Sequence, residues 1–117
     1  MLAIHHVNAV LVIAACLVAA VAAFAGRRRG VAGRLVAHLI SLAQTLVVGQ
    51  ALFGLVLLAE HKHAADRLHY AYGTFAVLAL FAPFLYAPDA PRARLLWFAI
   101  AALLAAALAV RAYMTAT

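Results

Sequence analysis

Four apolar stretches, each cut off by a short polar segment, make up almost the whole chain. The first covers residues 7–26, is interrupted only by Asn8 and Cys16, and stops at Arg27-Arg28-Arg29-Gly30. The second covers 35–59, holds His38, Ser41, Gln44, Thr45 and Gln50, and ends at Glu60-His61-Lys62-His63. The third covers 68–86 and is closed by the turn-forming Ala87-Pro88-Asp89-Ala90-Pro91. The fourth covers 95–110 and ends at Arg111. A helix needs roughly 17–25 apolar residues to cross a hydrocarbon core about 30 Å thick, a length the fourth run reaches once its flanks are counted. No water at that depth can satisfy backbone groups, so each span is expected to be helical. Short connections make sequential helices antiparallel neighbours. The pattern predicts an all-α integral membrane protein, one four-helix up-down bundle filling residues 1–117.

Composition sharpens this picture. Of 117 residues, 70% are apolar and 10% charged, and so small a domain has too little interior to hide that surface from water. The surplus is expected to face lipid. Ala, Leu and Val supply most of it, in long runs unlike the short alternating segments of a β-barrel. The first run reads as a span and not as a cleaved leader, because its Arg cluster follows the apolar stretch instead of preceding it.

Charge then sets an orientation. Arg27, Arg28, Arg29, Arg34, Arg92 and Arg94 fall in the first and third connections, whereas Lys62, Arg67 and Arg111 fall at the opposite end. Positive charge marks the cytoplasmic side, so both termini and the loop around His61 are expected outside, in a multi-pass protein of the plasma (inner) membrane. This asymmetry accounts for the net charge of +6 and leaves nothing for a nucleic-acid partner. The inner arginines suit the anionic head groups of the lipid bilayer.

Histidines carry the candidate chemistry. His5, His6, His61, His63 and His69 all fall at the expected outer boundary, and only His38 lies near the inner one. His5 and His6 open the first span and His69 opens the third. Both spans run inward, so these imidazoles are expected at similar depth on two parallel helices, able to grip a flat ligand from both faces. Ala9 follows His5 by four residues and Gly73 follows His69 by four, and residues four apart share a helix face. A haem-ligating histidine needs such a small neighbour one turn on. Tyr70, Tyr72, Lys62 and Arg67 would suit the propionate edge. Paired imidazoles are a usual axial arrangement for haem b, and Asn8, Tyr72 and Gln50 are the candidate partners for their other ring nitrogens. The candidate set is therefore His5, His6 and His69 as metal ligands, with Ala9, Gln50, Tyr72 and Gly73 around the cofactor.

Gln50-Ala51-Leu52-Phe53-Gly54 in the second span, followed by an outer loop and a helix headed by His69, resembles the membrane core of the heme A synthase family. The resemblance covers about residues 5–86. It implies a four-helix unit binding one haem through His69 and one of His5 and His6 near the outer face. The family's catalytic unit carries an external Glu shortly before its first histidine, whereas Met-Leu-Ala-Ile precedes His5 here. The resemblance thus implies haem binding more than methyl-group oxidation.

Other residues point to no catalytic chemistry. There is no Ser-His-Asp set, phosphate loop or paired carboxylate, and no mid-membrane carboxylate of the kind proton-coupled transporters use. Cys16 is read as a small apolar filler, Gln44 and Gln50 as lying on opposed faces of the second span, and Pro83 as a kink in the third span. The expectation is a b-type haem protein for electron transfer or haem handling. One alternative is a non-catalytic accessory subunit of a larger, respiratory-type membrane complex or homo-oligomer, packed through its Ala-rich spans, of which the fourth reads as a packing surface for a partner or for its own bundle. Another is an outer copper or zinc site built from His5, His6, Glu60, His61, His63 and His69.

Overall fold

A computed structural model describes residues 2–29 and 33–116. Four helices occupy nearly all of them: α1 (Leu2–Arg29), α2 (Arg34–Ala59), α3 (Leu68–Tyr86) and α4 (Pro91–Thr115). Each is long and apolar enough to cross a membrane. The bundle is 48 Å long and about 20 Å across (22 × 19 Å), comfortably more than a bilayer core of about 30 Å.

Helix α3 coincides with its apolar run, whereas α1 and α4 reach beyond theirs at both ends. Backbone hydrogen bonding continues through residues whose side chains have left the apolar zone, here His5 and His6 at one end and Arg27 to Arg29 at the other. Pro91 begins α4 at a first-turn position, where its missing N–H costs nothing. The extended backbone of Ala87, just before Pro88, ends α3. Pro83 is buried in the last turn of α3, and the helix continues past it to Tyr86.

The termination of α2 is specific. His61 has a left-handed φ of 63°, the His61 N–H donates to Leu58 O at 3.0 Å, and the Lys62 N–H donates to Leu57 O at 2.9 Å. This pair of bonds is the Schellman cap, with histidine where glycine is usual. The loop that follows is tied to the far end of α4, since the Ala65 N–H donates to Ala116 O and the Asp66 N–H to Thr115 O.

Packing inverts the pattern of a water-soluble bundle. Small residues fill the interior: Ala19, Ala20 and Ala23 of α1, Ala43 of α2, and Ala99, Ala102, Ala105 and Ala106 of α4 are all at most 2% exposed. Large ones such as Val21, Leu35, Leu52, Leu55 and Leu85 point outward. In lipid there is no hydrophobic drive between helices, so close approach of small residues supplies the cohesion. Helix α1 packs against α2 and α4, α3 packs chiefly against α4, and α2 and α3 touch only sparsely. Helices α1 and α3 thus stand on a diagonal of the bundle. Of the two uses expected for the Ala-rich face of α4, packing within its own bundle is the one seen for Ala99, Ala102, Ala105 and Ala106.

Candidate functional site

The diagonal helices α1 and α3 meet through two imidazoles. His5, 8% exposed, and His69, half-buried, have ring centres 6.2 Å apart and planes inclined by 71°. Both rings are set by neighbours. The Asp66 side chain accepts the Leu68 N–H at 2.9 Å and so starts α3 one residue before His69. The Tyr70 ring packs on His69 at 5.7 Å, while its hydroxyl accepts the Ala64 N–H at 2.9 Å and staples the loop. His69 Nδ1 lies 2.6 Å from the carbonyl oxygen of Ala112 on α4. A carbonyl only accepts, so Nδ1 donates and, in the neutral ring, Nε2 keeps its lone pair.

His5 is held from α2. Gln50 Nε2 lies 3.4 Å from His5 Nε2. Asn8 Nδ2 donates to Gln50 Oε1 at 2.9 Å and to the carbonyl oxygen of Leu46 at 3.0 Å. A Cβ placed on Gly54 would sit 3.4 Å from His5 Cε1, in contact with the ring, so α2 lies directly against His5 at this turn. Gln50 and Gly54, one turn apart, therefore flank His5 together. At Gly73 a Cβ would meet no heavy atom within 4 Å, leaving open space one turn beyond His69. Ala9 is partly buried one turn below His5.

The remaining candidates go elsewhere. The His6 ring packs against Tyr113 at 5.9 Å, so the imidazole facing His69 belongs to His5. Tyr72 lies under the guanidinium of Arg111 at 5.4 Å, and the Ala112 carbonyl takes the place beside His69 expected of it. Glu60, His61 and His63 are exposed in the loop, and His38 is exposed on α2. Among the described residues no three His, Cys, Asp or Glu side chains converge to hold a metal ion. The six-donor copper or zinc cluster is therefore not assembled: His61 serves as a helix cap, and His6 is engaged by Tyr113. Cys16 is fully buried, as a filler should be. Gln44 donates to Leu80 O at 3.2 Å, tying α2 to α3 while Gln50 turns to α1.

Two participants carry no mark in the sequence. The Ala112 carbonyl is a backbone group of an unremarkable alanine. Arg111 signals only as a charge, and α4 delivers it beside Tyr72, next to the residue that orients His69. A groove of about 410 Å³ on the α1–α2 flank is lined by Ala3, Ile4, Val7, Leu11 and Phe53, and its only residue in common with the histidine network is Asn8. The sequence matches no protein-family model, no curated protein and no solved structure.

Proposed function

We propose that this chain is a small b-type haem protein of the plasma membrane, with its termini and its histidine pair on the outer side, serving electron transfer or haem handling. The observation that carries the reading is the meeting of His5 and His69 across the bundle. Two imidazoles on opposite sides of one iron, each about 2 Å from it, place their ring centres about 6 Å apart, and the separation here is 6.2 Å. His69, with Nδ1 donating to Ala112 O, offers the lone pair of Nε2, the tautomer a ligand histidine needs. Open space at Gly73 and sparse packing between α2 and α3 favour the same site. The donor set thus fits a haem, which His5 and His69 would hold.

A bound haem would supply one-electron chemistry. The chain's own part is to present neutral imidazoles, to fix their rotation through Ala112 O and Gln50, and to wall them from water with apolar helices. Arg111, stacked on Tyr72 at the same end, supplies positive charge suited to propionates. The arginine-rich ends of α1 and α2 support the proposed orientation by the excess of positive charge on cytoplasmic loops. The likeness of the Gln50–Gly54 segment to heme A synthases supports the haem reading, since both residues lie against His5.

The deciding experiment is the visible spectrum of the purified protein before and after reconstitution with hemin. A Soret band with sharp reduced α and β bands is expected, lost in His69→Leu and in His5→Leu. A protein that stays colourless after reconstitution refutes the proposal and leaves the accessory-subunit reading standing.

A further inference from the structure

Three polar side chains within the helices form a single directed chain. Asn8 has one terminal atom 3.0 Å from the carbonyl oxygen of Leu46, and since a carbonyl only accepts, that atom is the amide nitrogen. The same nitrogen lies 2.9 Å from Gln50, which must therefore present its oxygen. The amide nitrogen of Gln50 is thereby turned to His5 Nε2, 3.4 Å away. An amide nitrogen donates and does not accept. His5 Nε2 must then carry the lone pair, and the ring proton must sit on Nδ1.

The opposite tautomer is worse on one count, because it would set N–H against N–H at Nε2. Either tautomer leaves one defect, because His5 Nδ1 is enclosed without a hydrogen-bond partner. Such orphans are uncommon and call for a cause. Here the cause is the anchor of the chain: Leu46 O is a backbone atom of α2 and cannot turn, so Asn8, Gln50 and His5 are set in succession.

We infer that Asn8 is the positioning residue of this site, holding His5, through Gln50, in the tautomer whose Nε2 lone pair is available to a Lewis acid. Asn8 touches no ligand itself. The contact at Nε2 is long for a hydrogen bond, so the Gln50 amide would yield that lone pair to a metal centre at little cost. His69 reaches the same state by another device, a backbone carbonyl on α4, so both rings present Nε2. The purpose of the device rests on the haem reading, whereas its chemistry does not.

The test uses the full chain without haem, in detergent micelles, with ¹⁵N-labelled histidine at a pH of about 8.5, well above the ordinary imidazole pKa of about 6.5. Long-range nitrogen–proton correlations report which ring nitrogen bears the proton, and the His5 signals are those lost in His5→Gln. Wild-type His5 is expected as the Nδ1–H form. Asn8→Leu and Gln50→Leu are each expected to release it toward Nε2–H, with far-UV circular dichroism confirming a helical protein. In hemin titrations Asn8→Leu should bind about tenfold more weakly, as losses of metal-ligand partners do. Wild-type His5 in the Nε2–H form overturns the inference whether or not the variants fold. So does an unchanged tautomer in both folded variants. The expected tautomer series in a protein that binds no haem upholds the inference and refutes the haem reading alone.

Discussion

Gly73 offers a way to separate the stability of the bundle from the capacity of the site. It lies inside α3, one turn beyond His69, and a Cβ there meets no heavy atom within 4 Å. Alanine therefore adds no clash and removes the excess freedom that glycine gives the unfolded chain, a gain of about 0.8–1 kcal/mol in a helix interior. Leucine has nearly the same helix propensity, so Gly73→Leu should gain about 0.5–1 kcal/mol. Both variants, unfolded in micelles and followed by far-UV circular dichroism, should resist denaturant better than the wild type. Hemin binding should separate them. Alanine leaves the site open, whereas the branched leucine would lie where the proposed haem, held between His5 and His69, would have its edge. An overpacking cost of about 1–3 kcal/mol corresponds to a loss of affinity of about 5- to 150-fold. A leucine variant that is more stable than the wild type yet binds hemin undiminished would refute the placement of the porphyrin beside Gly73. A destabilised alanine variant would contradict the open space itself.

Three further outcomes are expected. A periplasmic-type reporter fused after Thr117 should be active and one fused after Arg29 inactive, with the reverse pattern placing the histidines on the cytoplasmic side. Ala102→Leu, at a position 1% exposed where α4 meets the interior, should cost about 1–3 kcal/mol in denaturant unfolding, because the helices cannot part without losing their small-residue contact. His61→Gly should raise stability by about 1 kcal/mol by relieving the left-handed backbone at the end of α2, and should leave any haem spectrum untouched.

The spans and their number were legible in the sequence, because partition into lipid depends on local runs of apolar residues and little else. The third span could be bounded to the residue, since a turn signal closes it and an abrupt polar loop opens it. The ends of α1 and α4 could not, because backbone hydrogen bonds persist into His5, Arg29 and Thr115, where hydropathy has already changed sign. Equal depth of His69 and the His5–His6 pair followed from counting residues from the span ends. Which of the two adjacent histidines faces inward did not, since neighbours on a helix differ by about 100° of rotation. That rotation is decided by how Val12, Cys16 and Ala19 seat α1 against its neighbours. The same packing turns His6 to Tyr113, exchanges the expected Tyr72 for the carbonyl of Ala112, and makes His61 a cap. The sequence by itself determined four membrane-crossing helices and the end at which the histidines gather, because both depend on position along the chain. Only the tertiary structure decided which side chains meet, because helix rotation is set by the contacts of small residues among all four helices.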